Sequence, residues 1–326
     1  MTNLQLPRRQ FLRLAAAAAA LPAASRMAWA QDYPSRPVHL IVGTPPGLAP
    51  DIIARLVGQW LSERLGQQFV IDNRPGAGTN IGTEAVVRAS PDGYTLLLSN
   101  PANAINAALY PKLSFNFIRD TAPVALIGSG EFVMVINPSV PAKTIPEFIA
   151  YAKPNPGKIN MASNGSGTTP HLLGELFKMM AGVEMTHVPY RANYVPDLIS
   201  GQVQVAFSSV SASSEYVRTG KLRGLAVTSA RRSDILPDIP AMTEVVPGYE
   251  ASSWYGVSAP RNTPGPVVER LNKEINAGLV DQKLKARLGE LGVTPVPGSP
   301  ADYGKLIGDE TEKWAKVVKF AGIEPL

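Results

Sequence analysis

Val38-His39-Leu40-Ile41-Val42, followed by Gly43-Thr44-Pro45-Pro46-Gly47-Leu48-Ala49-Pro50-Asp51, decides the fold. The first five residues form an almost continuous apolar run, the pattern of a strand buried on both faces of a parallel sheet. The Pro/Gly stretch breaks it. Ile52, Ile53, Leu56, Val57, Trp60, Leu61 and Leu65 then recur at helical spacing, with Asp51 expected as N-cap and Gly66 as terminator. Strand, tight loop and helix in this order open a βαβ unit.

Outward from there the unit repeats. A strand is expected over Phe69–Asp72, a helix over Asn80–Arg88 after a Gly-rich turn, and a strand over Tyr94–Ser99 after the turn Pro91-Asp92-Gly93. Pro123 to Ile136 reads as one long strand leaving one lobe and entering another. Beyond it, helices are expected over 145–153, 170–181, 194–200 and 211–218. Strands alternate with them over 159–162, 186–188, 203–207 and 222–228. Residues 250–259 are expected to return to the first lobe, and the tail is helical, with Val267, Leu271, Ile275 and Leu279 spaced at four. At 326 residues the chain suits two domains of about 100 to 200 residues each. The fold class is therefore α/β, with two lobes joined by two crossover connections: residues 31–131 plus 251–326 as lobe 1, and 132–250 as lobe 2. A ligand site belongs between the lobes, beyond the carboxyl ends of the strands.

Four loops qualify. In the first, Pro46, Gly47, Leu48, Ala49 and Asp51 surround a helix start whose backbone N–H groups suit an anion; the alternative is a rigid turn without ligand. In the second, Ser163-Asn164-Gly165-Ser166-Gly167-Thr168-Thr169 precedes a helix with Pro170 in its first turn. Small residues there admit a ligand, hydroxyls offer neutral donors and the dipole favours negative charge; the alternative is a linker. Ser99 with Asn100, and Ser208 with Ser209, end strands and add uncharged polar groups, the latter pair alternatively capping a helix near Ser211. His171 follows the second loop closely enough to touch ligand or to cap and pack. His39 and His187 read as structural.

Other chemistry is poorly supplied. Gly76-Ala77-Gly78-Thr79-Asn80-Ile81-Gly82 follows a strand, yet Ser99 and Asn100 stand where a dinucleotide site wants an acid, so the glycines read as turn residues. There is no cysteine, which excludes disulfides and thiol nucleophiles. No GxSxG elbow, Walker lysine motif or zinc-like His spacing appears, so no catalytic residue, metal or cofactor is expected. Residues 1–30 read as an export signal: Arg8, Arg9 and Arg13, an apolar run from Leu14 to Ala24, and Ala28-Trp29-Ala30 before Gln31. Arg8-Arg9-Gln10-Phe11-Leu12 resembles a twin-arginine signal; an ordinary secretory signal is the alternative. The apolar run is about half of the roughly 20 residues needed to span a bilayer. Removing this segment takes away four arginines and no acids, leaving 27 basic against 26 acidic residues and a charge of +1 instead of +5. A nearly neutral mature chain gives no argument for nucleic acid.

Pro34-Ser35-Arg36-Pro37, Pro45-Pro46-Gly47 with Asp51, Asn73-Arg74-Pro75-Gly76-Ala77-Gly78, Pro91-Asp92-Gly93-Tyr94-Thr95, Ala108-Leu109-Tyr110-Pro111 and His187-Val188-Pro189-Tyr190 form an ordered set. Gly220-Lys221-Leu222-Arg223, Ala226-Val227-Thr228-Ser229-Ala230 and Pro247-Gly248-Tyr249 extend it. Together, over residues 32–326, they resemble the substrate-binding receptors of tripartite tricarboxylate transporters, the Bug family. The resemblance implies a type II-like periplasmic binding protein fold, an organic acid as ligand, membrane permease subunits as partners and a monomeric receptor in the periplasm. It places the carboxylate between Pro46–Asp51 and Ser163–Thr169, with ordered waters that tolerate different acids. Two departures stand out. The family loop PPGGGxD is here Pro46-Gly47-Leu48-Ala49-Pro50-Asp51, and the acidic residue common at one strand end is replaced in Phe207-Ser208-Ser209, which points to di- or aromatic carboxylates rather than amino acids. A sensory receptor signalling to a membrane kinase and an enzyme on the same scaffold are the rival classes.

Overall fold

The computed structural model describes residues 33–190 and 193–323; the export-signal reading of residues 1–30 lies outside the described residues. The apolar run Val38–Val42 is strand β1, paired in parallel with β2 (Phe69–Asn73) and β3 (Thr95–Ser99) on its two sides. His39 does not follow the buried-strand expectation: its side chain is exposed.

Helix α1 (Ala49–Leu65) follows β1 and ends at Gly66, whose φ of 71° is the left-handed conformation that glycine adopts without a Cβ penalty. Its N-cap is Leu48, not Asp51. Pro50 fits the first turn, where no N–H is needed, so the helix starts earlier than the capping pattern suggests. Asp51 lies within that turn, only 2 % exposed, and its carboxylate accepts the Gly47 N–H at 2.9 Å and pairs with Arg55 at 2.9 Å. Helix α2 (Asn80–Val87) precedes β3, and the expected loop after β3 is instead capped helix. Asn100 Oδ1 accepts the Ala102 N–H at 3.0 Å, Asn103 Oδ1 accepts the Asn100 N–H at 2.8 Å, and α3 runs over Pro101–Leu109.

After the short α4 (Phe117–Asp120), the long apolar run divides into β4 (Thr121–Gly130) and β5 (Phe132–Ile136), with only Glu131 between them. The two strands join different sheets. The second sheet is then built by α5 (Ile145–Ala152), β6 (Asn160–Ser163), α6 (Thr169–Ala181), β7 (Thr186–Pro189), α7 (Val195–Ser200), β8 (Val205–Ser209), α8 (Val210–Arg218) and β9 (Arg223–Val227). Its order is β7-β6-β8-β5-β9, parallel through β7, β6 and β8 and antiparallel around β5. Strand β10 (Ser253–Pro260) inserts antiparallel between β3 and β4 in the first sheet. After α9 (Gly265–Leu279) and α10 (Gln282–Glu290), β11 (Val293–Pro295) completes that sheet in the order β11-β4-β10-β3-β1-β2.

Helix α11 (Pro300–Ala321) closes the chain and packs on α3, β4 and α6, which touch both sheets. Tyr303, Ile307, Glu310, Trp314, Val317 and Val318 are its buried positions, at spacings of three and four. One continuous core runs from Ile41 and Leu97 of the first sheet through Tyr303 and Trp314 to Phe177 and Phe207 of the second. Gly256 permits the closest approach in this layer, because a Cβ there would lie 2.3 Å from the Tyr303 ring.

Trp314 is fully buried, and its indole N–H donates to Glu310 Oε2 at 2.7 Å. Trp314→Ala should therefore lower unfolding stability by about 3 to 5 kcal/mol, as large-to-small changes in packed cores do. Urea unfolding checks this, and a loss under about 1 kcal/mol would show that the helix is dispensable to the core.

Candidate functional site

The loop between β6 and α6 is shaped by its glycines and hydroxyls. Ser163, fully buried, ends the strand, and its Oγ accepts the Gly165 N–H at 3.1 Å. Gly165 and Gly167 have φ values of 125° and 74°, conformations that side chains rarely adopt. Gly167 is also confined from outside, since a Cβ there would lie 2.8 Å from Leu109 of α3. Thr168 takes the N-cap position of α6 but makes no side-chain cap bond, because its hydroxyl donates to Gly165 O at 2.7 Å. That hydrogen is engaged within the loop, leaving the Thr168 oxygen as an acceptor. Asn164 and Ser166 are exposed, while Thr169 and Pro170 are half-buried in the first helical turn.

Beside this loop lies a hollow of about 420 Å³. Asn164 and Pro170 line it from the loop; Phe132, Phe207, Ser208, Ser209 and Ala212 line it from β5, β8 and α8. The connection from β7 into α7 contributes Tyr190, Asn193, Tyr194 and Val195. The register Phe132↔Ser209 and Val133↔Ser208 sets the serine pair at the end of β8 against β5. Ser209 stands at the N-cap of α8 without a side-chain cap bond, so its hydroxyl is not used as a cap. Burial raises the Tyr194 phenol above its ordinary value, with Ser208 pulling the other way, and the ring stays neutral. Tyr190 donates its phenol hydrogen to Asp197 Oδ2 at 2.7 Å, which fixes the ring edge-to-face with Tyr194. Every described residue lining the hollow is uncharged. It can hydrogen-bond and it can pack against apolar or aromatic groups.

The structure thus brings Asn164, Ser208 and Ser209 together, with Pro170 of the serine loop, and it adds two tyrosines that the loop-by-loop reading missed. No periodic signal marked them, because Tyr190 follows the end of β7 and Tyr194 is the N-cap of α7, outside any helical repeat. Of the other candidates, Pro46, Gly47, Leu48, Ala49, Asp51, Ser99 and Asn100 do not line this hollow, and neither do Ser163, Gly165, Gly167, Thr168 and Thr169 of the serine loop itself. In the first loop the Gly47 N–H is engaged by Asp51, and Leu48 is 51 % exposed. Burial pushes the Asp51 carboxyl upward, but Arg55, the Gly47 amide and Asn73 outweigh it and keep it ionised below the usual range. The Ser99 hydroxyl is buried in a cluster with Tyr303 (2.6 Å), Ser258 (3.0 Å) and the Gly256 carbonyl (3.1 Å). Asn100 is engaged as the cap of α3.

His171 is buried behind the serine loop rather than at its surface, and it stacks on His187 at 3.6 Å with 13° between the rings. His187 Nε2 lies 2.6 Å from Ser163 Oγ. Among the described residues no group of three His, Cys, Asp or Glu could hold a metal. Burial, and then the neighbouring His171, push the His187 imidazole down to about 4. An unfolded histidine titrates near 6.5, so on acidification the unfolded chain binds this proton first. Stability from this group is complete above about pH 6.5 and falls as pH drops toward about 4. His187→Gln should flatten that part of the profile. Urea unfolding near pH 7 and near pH 4.5 measures the difference, and equal slopes for the two proteins would remove His187 as its source.

Comparison with known proteins places this geometry. The sequence pattern of the tripartite tricarboxylate transporter family receptor matches residues 53–323. Protein BugT of Bordetella pertussis is 37 % identical over 298 residues, covering 90 % of this chain and 91 % of that protein. Among solved structures, R. palustris Rpa4515 with adipate is 37 % identical, with a TM-score of 0.75 over 90 % of this chain and 100 % of that one. MatC from Rhodopseudomonas palustris with bound malate is 29 % identical, with a TM-score of 0.72 over 88 % of this chain and 100 % of that one. The protein has the two-lobed periplasmic-binding-protein fold and belongs to the tripartite tricarboxylate transporter receptors, the Bug family.

Proposed function

We propose that this receptor captures a small organic carboxylate outside the cytoplasmic membrane and delivers it to the permease subunits of a tripartite tricarboxylate transporter. The observation that carries the reading is the uncharged hollow of Ser208, Ser209, Asn164, Tyr190 and Tyr194 beside the N-terminus of α6. Helix dipole and neutral donors favour an anion there. The adipate and malate bound to Rpa4515 and MatC support the ligand class. We assign residues 31–131 plus 251–326 to lobe 1 and 132–250 to lobe 2, with the loops of Pro46–Asp51 and Ser163–Thr169 facing the ligand from opposite sides. Leu48 and Ala49 then meet it from lobe 1 by backbone and by water.

Ser208 is the centre of specificity in this reading. A buried carboxylate is tolerable only when paired, so a receptor carrying one at the strand end can offset its desolvation with a ligand ammonium. Neutral Ser208 and Ser209 offer no such partner, which favours di- or aromatic carboxylates over amino acids. Calorimetry should show the wild type binding succinate or adipate at least about tenfold more tightly than aspartate, a difference of about 1.4 kcal/mol. Ser208→Asp should move the succinate-to-aspartate ratio toward aspartate by a similar factor. A wild type that binds aspartate as well as succinate, or a variant that leaves their ratio unmoved, refutes the assignment.

We further propose that residues 1–30 direct export and are removed after Ala30. Mass spectrometry of the exported protein should find Gln31 first, and replacing Arg8 and Arg9 together by Lys should block export. Retention of the wild type in the cytoplasm contradicts this, and unchanged export of the double variant assigns the secretory route instead.

A further inference from the structure

Behind the serine loop, the two stacked imidazoles are not part of the ligand hollow, yet both hydrogen-bond to the loop. His171 Nδ1 accepts the Gly167 N–H at 3.0 Å. His187 Nε2 meets Ser163 Oγ at 2.6 Å, and the same hydroxyl accepts the Gly165 N–H. The pair therefore holds the loop at both glycines, Gly165 through Ser163 and Gly167 directly. A bare Nδ1 is required for the second bond, so neutral His171 carries its hydrogen on Nε2, facing Glu175 Oε1 at 3.6 Å. Glu175 is fixed in turn by Lys178 Nζ at 2.9 Å.

We propose that His171 is the positioning residue of the ligand loop: it accepts the Gly167 N–H and so holds Gly165–Thr169 in the shape that receives the carboxylate, without touching the ligand. The inference rests on the carboxylate-receptor reading of this loop. Two features support it. Gly167 has a left-handed φ of 74° and lies against Leu109 on its other side, so the imidazole is the polar contact that orients its peptide. The flat stack on His187 fixes the ring plane of His171, and with it the direction of the Nδ1 lone pair.

Protonation has a defined consequence. A proton on Nδ1 turns the acceptor into a donor pointing at a donor, and the Gly167 bond is lost. The charged and titratable groups around the ring are His187 from β7 and Glu175 and Lys178 from α6 itself, with neutral Ser163 from β6.

Three variants of the full chain separate positioning from mere packing. His171→Phe keeps the stacked ring and deletes the acceptor. His171→Asn places an oxygen where Nδ1 stands and cannot be protonated. His171→Met deletes the acceptor in a side chain that adapts to irregular cores, should the phenylalanine variant fail to fold. Amide exchange by NMR on ligand-free protein reads the loop: the Gly167 amide should exchange at least about tenfold faster in the Phe or Met variant and stay protected in the Asn variant. Calorimetry with adipate and malate reads binding: Kd should rise at least about tenfold in the Phe or Met variant, and the Asn variant should recover most of that loss. Unchanged Gly167 exchange in the acceptor-less variants, or no recovery with Asn, overturns the proposal. Failure of the wild type to bind any carboxylate strikes the receptor reading instead, and the exchange data still decide whether His171 holds the loop.

Discussion

The Glu310 carboxylate, buried between two indoles, holds together the layer that the rest of the structure leans on. Its Oε2 accepts the N–H of Trp314 at 2.7 Å and that of Trp254 at 3.3 Å, and Lys313 supplies the countercharge. Trp254 belongs to the strand that returns to the middle of the first sheet, and Trp314 to the last helix. An ionised carboxylate in such a place costs several kcal/mol unless it is paired and hydrogen-bonded. Both indoles must therefore sit where they do, and with them α11 against both sheets. The shared core around Tyr303, Trp314, Phe177 and Phe207 follows from that placement.

With the two sheets joined in this way, the loops at their strand ends have less freedom than their composition suggests. Hydroxyl and amide groups that read as ligand donors are in several cases engaged by the protein. Ser99 belongs to the Tyr303 cluster, Asn100 to the cap of α3, and the Gly47 amide to Asp51. What remains around the hollow is neutral: serine hydroxyls, asparagine amides, tyrosine rings and the first turn of α6. Such a surface offers hydrogen bonds and apolar contact but, in its described lining, no formal charge of either sign. Relatives whose solved structures carry adipate and malate share the architecture over nearly the whole chain.

Much of this was legible residue by residue. The apolar run at Val38–Val42, the strand read over Phe69–Asp72, the 3.6-residue spacing after Pro50, and the αL glycine at Gly66 are local patterns with local causes. The serine loop could be read in the same way, because Ser, Gly and Thr ahead of Pro170 describe a helix start. Other readings slipped for identifiable reasons. Helix α3 escaped because Pro101–Leu109 is built of alanine and asparagine, with Asn103 and Asn106 buried where an apolar stripe is expected. The N-cap of α1 moved from Asp51 to Leu48 because Pro50 fits the first turn and the acid serves Gly47 and Arg55 instead.

The sequence by itself determined the alternation of elements, the turn glycines and the chemical character of the loops, since each depends on neighbours within a few residues. Tertiary structure decided which polar groups stay available to a ligand, because their competing partners are distant in the chain. Ser99 is claimed by Tyr303, 204 residues away, and Ser163 by His187, 24 residues away. Tyr190 and Tyr194 reach the hollow only because β7 and β8 flank β6 in the second sheet. Periodicity records how a segment folds; it cannot record which hydrogen-bond acceptor folding will bring beside it.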